Sequence, residues 1–182
     1  MILMANTDEL LTIVRVEADT SDLDLIINSF GGTSGADPAV QEVMSGFVEL
    51  ASEIKNGVEK GCDLGVVDVS ERLKSLQELY IGLNGSIHEG KLINSIDMVS
   101  TADNVFLVGT DIIHFYPLCV EKGRGAVRPI QYDFLHFVID GKHIYTKYSR
   151  PTVPRPFVQP AVQTVDGEAE DIVWRDIAYA IG

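Results

Sequence analysis

The side chains best suited to chemistry are four histidines and two cysteines: His88, His114, His136, His143, Cys62 and Cys119. No histidine pair has the His-x-x-x-His spacing that places two metal ligands on one helical face, and neither cysteine stands beside a histidine. Cys119 and His114 could act as nucleophile and base, but five residues along a short helix do not place them on one face. The sequence therefore predicts no catalytic residue, no metal site and no cofactor. A small cytosolic hydrolase that uses a histidine or an acid pair is a minor alternative.

Two of the histidines fall on a predicted hairpin. Residues 134–139 and 143–148 are rich in aromatic and β-branched side chains, and Asp140-Gly141 between them is a strong signal for a two-residue turn. Pairing of these strands would bring His136 close to residues 145–147, without requiring a ligand role for the histidine.

Residues before the hairpin also predict strands. The apolar period is two over residues 92–100 and 104–109, which a short polar turn joins. A short helix fits within residues 112–121, where Pro117 is tolerated only in the first turn. Residues 5–19 fit either a strand or the start of a helix.

Two amphipathic helices are predicted in the first half of the chain. Asp37 and Pro38 are typical of an N-cap and a first helical residue. Apolar residues then recur at helical spacing, and this helix is expected to end near Gly61. A second helix is expected from about residue 68 to Gly82, either antiparallel to the first or beside it across a sheet.

A final helix is expected through Ile172 and Ile177, with Gly167 either interrupting it or marking its start. These elements predict an α+β chain in which N-terminal helices pack on an antiparallel sheet of about four strands, with a C-terminal helix. The predicted divisions are an acidic N-terminal extension with a short helix (1–35), a single α+β domain (36–165) and a C-terminal helix or tail (166–182).

A proline-rich stretch, residues 150–161, connects the hairpin with the last helix. Its four prolines fix φ and remove backbone donors, so it is expected to run extended over the surface. Phe157 is its one large aromatic side chain and is expected to anchor it, and Pro160 is well placed to open the helix. Composition alone leaves open whether the stretch is only a rigid connector.

The charge of the chain is uneven. The net charge of −13 argues against generic nucleic-acid binding driven by counterion release. Residues 121–160, however, hold seven of the 14 basic residues and only three acidic ones. This division suits a basic element that meets an acidic face on a neighbouring copy or another partner, or that pairs with acidic groups of its own chain.

The order of several short motifs resembles the tail-completion or neck proteins of long-tailed bacteriophages. Residues 90–96 resemble the Gly-x-Leu-x-x-Ser-Ile segment of that family, 108–110 a Val-Gly-Thr strand end, and 116–123 a Tyr…Val-Glu-x-Gly helix. Residues 145–148 fit Tyr-x-Lys-Tyr, and 156–161 fit Pro-Phe-x-x-Pro-Ala. The residues that carry the resemblance most directly are Gly90, Leu92, Ser95, Ile96, Gly109, Tyr116, Glu121, Gly123, Pro156, Phe157, Pro160 and Ala161.

The resemblance implies a structural protein of the virion, assembled in the host cytoplasm, that joins tail to head as a ring around the DNA channel. The implied partners are further copies of the chain in an expected six-fold ring, a head-closure or connector protein, and a tail terminator or tail tube protein. DNA would pass through the lumen without sequence-specific binding, and no membrane is implied. A tail-terminator ring is the nearest alternative. A basic loop, residues 122–128, and the proline-rich stretch add three interface candidates: Arg124, Arg128 and Arg150.

Overall fold

The computed structural model describes residues 2–6, 10–32, 37–85, 90–110, 116–139 and 141–182. The chain is α+β, as the sequence predicts. Its strands are β1 (Ile2–Asn6), β2 (Leu11–Val16), β3 (Ile96–Ala102), β4 (Val105–Thr110), β5 (Leu135–Ile139) and β6 (Lys142–Thr146). Its α-helices are α1 (Ser21–Phe30), α2 (Pro38–Leu83), α3 (Tyr116–Lys122) and α4 (Val158–Ile181). None of the described helices is long and apolar enough to cross a membrane.

The main sheet is antiparallel, with its four strands in the order β1-β2-β4-β3. The residues predicted as an N-terminal extension supply β1 and β2, so this part of the chain belongs to the sheet. Burial alternates along β2 as in a strand with one face on the core: Val14 and Val16 are buried, whereas Arg15 between them is exposed. The predicted hairpin, β5 and β6, pairs as expected but forms a separate two-stranded sheet.

α2 is one continuous helix of 46 residues, roughly 70 Å long at about 1.5 Å per residue. The predicted pair of helices, with an end at Gly61, is therefore wrong. Gly61 is instead a point of close packing, because a Cβ atom there would lie 2.4 Å from the Cα of Ile177 in α4. Gly57 and Gly65, one turn to either side, meet α4 in the same way. These glycines let the two helices approach until their backbones nearly touch.

α4 runs without interruption from Val158 to Ile181, antiparallel to α2. The expected break or start at Gly167 is wrong. Nothing lies within 4 Å of the position of a Cβ atom at Gly167, so this residue lowers helix propensity on an open face without ending the helix.

The predicted boundary at residue 165 falls inside α4. The extended course expected for residues 150–161 is wrong at its end, because residues 158–161 form the first turn of α4. Pro160 is the third residue of the helix, where a missing N–H is tolerated.

Two clusters of buried side chains join the sheet to α2 and α4. The larger cluster lies between the sheet and the helix pair and includes Val14, Val66 and Val165. The smaller cluster contains Leu10, Ile81, Leu92, Ile96, Phe157 and Val158. We call the main sheet, α2 and α4 the body of the molecule. α1 packs beside the first half of α2, where Lys55 Nζ lies 2.6 Å from Asp24 Oδ1.

Candidate functional site

The basic loop, the hairpin and most of the proline-rich stretch form one unit, residues 123–156, which we call the basic ribbon. Its two sides pair near its base. The N–H of Arg124 donates to the carbonyl oxygen of Thr152 at 3.0 Å, and the N–H of Thr152 donates back at 2.8 Å. Val127 and Ser149 pair in the same way, at 3.0 and 2.9 Å. β5 and β6 then continue the ribbon to its turn.

The basic ribbon has no buried core of its own. None of its described residues is buried, and its strands make few contacts with the helices or the main sheet. Large apolar side chains are exposed along its length: Ile130, Tyr132, Phe134, Val138, Ile144, Tyr145, Tyr148 and Val153. A lone two-stranded hairpin is only marginally stable in water, and exposed apolar groups that cluster mark a surface for another macromolecule.

The two hairpin histidines lie side by side on the ribbon. His136 Nε2 is 2.8 Å from His143 Nδ1, and the ring of His136 stacks on that of Tyr145 with centroids 4.7 Å apart. The expected approach of His136 to residues 145–147 is therefore confirmed. Across the part of the chain that the structure describes, no group of three or more His, Cys, Asp or Glu side chains is arranged to hold a metal ion.

The other candidates for chemistry do not form a cluster in the described structure. His88 and His114 lie outside the described residues, and with them the first residues of the predicted helix at 112–121. The described helix, α3, begins at Tyr116 and has Pro117 in its first turn, as predicted. Cys119 is half-buried on this helix, whereas Cys62 is buried, and burial raises the pKa of the Cys62 thiol.

Glu121, near the end of α3, caps the N-terminus of α4. Its Oε2 accepts from the N–H of Phe157 at 2.7 Å and of Val158 at 3.1 Å, and its Oε1 accepts from the N–H of Gln159 at 3.2 Å. The first four N–H groups of a helix have no partner within it. Glu121 binds three of them, and the fourth position is Pro160, which has no N–H. The helix dipole also favours a carboxylate at this end.

Gly123 allows the ribbon to pack against the end of α3. Its φ is +72°, and a Cβ atom there would lie 2.7 Å from the carbonyl oxygen of Thr152. The N–H of Arg155 donates to the carbonyl oxygen of Val120 at 2.7 Å. We call these contacts, together with the cap by Glu121, the clasp. The clasp fixes both sides of the ribbon where they leave the body.

Phe157 anchors the ribbon, as the sequence predicts. Its ring is fully buried in the smaller cluster with Leu92 and Ile96. Directly before it, Asn84 Nδ2 donates to the carbonyl oxygen of Pro156 at 2.9 Å. The start of the resemblance, at residues 90–96, and its end, at 156–161, are therefore in contact through this cluster.

Other residues of the resemblance stabilise the same end of the sheet. The hydroxyl of Ser95 lies 2.8 Å from the carbonyl oxygen of Leu92 and 2.7 Å from the hydroxyl of Thr110. A Cβ atom at Gly109 would lie 2.3 Å from the carbonyl oxygen of Leu10, so only glycine fits there. These residues therefore build the fold.

Three more residues of the resemblance differ in exposure. Gly90 adopts a φ of +68°, and its carbonyl oxygen accepts from the N–H of Asn94 at 2.9 Å. Ala161 is fully buried in the larger cluster, whereas Tyr116 is exposed at the start of α3. Of the three, only Tyr116 presents a large side chain at the surface.

The predicted interface arginines have different surroundings. Arg124 is half-buried and donates within the ribbon, to the hydroxyl of Ser149 and, at 3.4 Å, to the carbonyl oxygen of Arg150. The guanidinium of Arg128 lies over the ring of Tyr148, 5.9 Å from its centroid. The side chain of Arg150 is exposed. Arg124 thus holds the ribbon together, while Arg128 and Arg150 face outward.

The ion pairs of the molecule lie mainly on the body. Arg72 pairs with Glu168, Lys74 with Asp97 and Arg175 with Asp68. Among the described residues, by contrast, no carboxylate lies within 4.0 Å of the outward-facing arginines of the ribbon: Arg128, Arg150 and Arg155. The sequence left open that the basic residues pair with acidic groups of their own chain. For these three arginines, no such pair is seen among the described residues.

A groove beside α4 was not predicted. Its volume is about 610 Å³, and it lies between α2, α4 and the segment that follows β2. Ala169 and Val173 contribute its apolar floor, and Trp174 at its edge is 61% exposed. Its rim carries four carboxylates, those of Glu17, Asp19, Asp166 and Glu170. Asp166, Glu170 and Trp174 follow one another at four-residue intervals, which places them on one face of a helix. This spacing could have revealed the groove only if the helix had been predicted as continuous through Gly167. We call it the Trp174 groove.

Comparisons with protein-family models, with curated proteins and with solved structures found no match.

Proposed function

We propose that this chain is a structural subunit at the head–tail junction of a long-tailed bacteriophage, a tail-completion or neck protein that forms a ring around the DNA channel. Two lines of argument support the proposal. One is the resemblance over residues 86–165. The other is the observation on which the proposal chiefly depends: the basic ribbon leaves the body without a core of its own, yet the clasp fixes its base.

An element of this kind is suited to binding and not to turnover. Its exposed aromatic and basic side chains belong to neither buried cluster of the described structure, so their natural place is against another subunit. A closed ring requires each subunit to meet the next with the same rotation. The clasp is compatible with that requirement, because Glu121, Gly123 and Phe157 fix the direction in which the ribbon leaves the body.

The charge distribution supports a position around DNA. Outside the basic ribbon the chain has 25 acidic and eight basic residues. An acidic surface repels the phosphate backbone and so would let DNA slide through a lumen without adhering. The expected partners beyond further copies are a head-closure or connector protein on one side and a tail terminator or tail tube protein on the other. No catalysis or cofactor is part of this function.

Electron microscopy of the particle that carries this chain tests the proposal. The expected result is a closed ring of the chain, six-fold in symmetry, between the head and the tail, with acidic residues of the body facing the channel. Particles without density for the chain at the junction would contradict the proposal. So would a chain that is found only free in the host cell and never in particles.

A further inference from the structure

The Trp174 groove combines an apolar floor with acidic walls. Val173 and Ala169 are buried beneath it, while the indole of Trp174 remains 61% exposed at its edge. Glu170 and Asp166 stand one and two turns before Trp174 on α4, and both are exposed. An exposed indole beside carboxylates suits a partner that brings both a flat or extended apolar segment and guanidinium groups.

The proline-rich side of the basic ribbon has that complementary character. Arg150 and Arg155 are exposed, and Val153 between them is 78% exposed. The prolines at 151, 154 and 156 stiffen the backbone, so less conformational entropy is lost when the segment binds. Stiff proline-rich segments are commonly bound in aromatic-lined grooves, and neighbouring acidic groups pair with their arginines.

We propose that residues 150–155 of one copy dock in the Trp174 groove of the next copy. Arg150 and Arg155 then pair with Asp166 and Glu170, and the segment between them lies against Trp174. The occupant is a second copy because one chain carries both the arginines and the carboxylates of this charge-complementary contact. Within the described structure these arginines and carboxylates are not paired with each other.

A contact between two different surfaces of identical chains is heterologous. Each copy then offers a ribbon to one neighbour and a groove to the other, so the contact propagates until it closes into a ring. The inference rests on the proposed function in one respect, namely that copies of this chain contact one another. It adds which surfaces do so and by which charges.

Two charge-reversal variants of the full chain test the ribbon surface and the groove surface independently. The ribbon variant, Arg150→Glu with Arg155→Glu, keeps the groove, and the groove variant, Asp166→Lys with Glu170→Lys, keeps the ribbon. All four side chains are exposed, so the body is expected to fold in both variants. The matched control is Glu49→Lys with Glu53→Lys, which reverses two exposed acids at the same spacing on α2.

Sedimentation velocity at low salt, from about 1 μM to about 1 mM protein, measures the association. We expect the parent chain and the control to form species larger than a dimer. Each variant alone should associate at least about tenfold more weakly. An equal mixture of the two variants should regain association, because the intact ribbon of one variant meets the intact groove of the other, and the reversed ribbon also meets the reversed groove with opposite charge. A chain with all four reversals should regain association in part.

Several outcomes overturn the inference. A parent chain that stays monomeric to about 1 mM has no such contact of useful strength. Variants that associate like the parent show that these charges are not at the contact, and a mixture that stays monomeric shows that the ribbon and the groove are not partners. A ring seen in particles together with any of these results would leave the proposed function standing. Association as described, by a chain never found at the junction, would instead remove the function and keep the contact.

Discussion

The body and the basic ribbon are stabilised in opposite ways. In the body, α2 and α4 meet at three glycines with no space for a methyl group, and two buried clusters hold the sheet against the helices. In the ribbon, backbone pairing is present but no described residue is buried. The body can therefore complete its own folding, whereas the ribbon depends on the clasp for its position and leaves its large apolar side chains exposed.

Phe157 directly follows the ribbon and its ring is buried in the body, so its removal should have the largest effect. Phe157→Ala empties a fully buried site in the smaller cluster and should lower the free energy of unfolding by about 3–5 kcal/mol. Unfolding in urea, followed by circular dichroism, measures the change. The control is Tyr132→Ala, which removes an aromatic ring that is 77% exposed on the ribbon and should change the value by less than about 0.5 kcal/mol. Comparable losses in the two variants would mean that the ribbon is part of the folding core.

Gly61 tests the tightness of the body. A methyl group at this position would lie 2.4 Å from the Cα of Ile177, so Gly61→Ala should force α2 and α4 apart and cost about 1–3 kcal/mol. Gly46→Ala is the matched control in the same helix, where nothing lies within 4 Å of the new atom. This control should raise the stability by about 0.5–1 kcal/mol through helix propensity. Stabilisation by both substitutions would show that the helices are not closely packed at Gly61.

The same glycines mark the limit of what the sequence predicts. Local signals are sufficient for the Asp37-Pro38 helix start, the pairing of β5 with β6 and the anchoring role of Phe157. Gly61 was interpreted as a helix end, because a glycine that ends a helix and one that admits a second helix have the same local pattern. Only the position of Ile177, more than 100 residues away, distinguishes them. The assignment of β2 to the main sheet is likewise decided by a strand that is distant in sequence.

The same distinction between local and distant contacts explains why only part of the candidate site could be predicted. The exposed arginines and prolines of the ribbon could be found from composition and turn chemistry. The structural role of Glu121 could not, because its three acceptor bonds go to residues 157–159, far along the chain. The Trp174 groove depends on α4 being continuous and on its packing beside α2, so it too required the tertiary structure.

Glu121 tests the junction between the two regions. Glu121→Ala leaves three N–H groups at the start of α4 without their acceptor and should cost about 1–2 kcal/mol in unfolding free energy. It should also loosen the base of the ribbon, which limited proteolysis near Arg155 would detect. Glu71→Ala, an exposed acid within α2, is the control for loss of a carboxylate. If proteolysis near Arg155 is unchanged in Glu121→Ala, the cap does not hold the ribbon.

The ion pairs of the body predict a modest dependence on acid. Glu168 accepts two hydrogen bonds from Arg72, at 2.8 and 3.1 Å, and this arginine lowers the pKa of Glu168 below its ordinary value of 4.5. The pair should therefore contribute its full stabilisation above about pH 4.5 and lose it as the pH falls through the lower pKa of the folded state. Glu168→Gln should flatten this part of the stability profile, whereas Glu170→Gln, with no described ion pair, should not. Identical profiles for the two variants would assign no role to the Arg72 contact.

Removal of the hairpin should have the smallest effect on folding and should leave in place the contact between copies, which we assign to residues 150–155. Val127 and Ser149 already pair across its base, so replacing residues 128–148 by Asn-Gly would close them with a two-residue turn and remove the hairpin. No buried side chain among the described residues is lost, so the unfolding free energy should change by less than about 0.5 kcal/mol. The truncated chain keeps Arg150, Arg155 and the Trp174 groove. If it still associates in sedimentation velocity, the contact between copies needs only residues 150–155, and the hairpin is left to bind the neighbouring head or tail protein. If association is lost while the body stays folded, the hairpin itself contributes to the contact between copies.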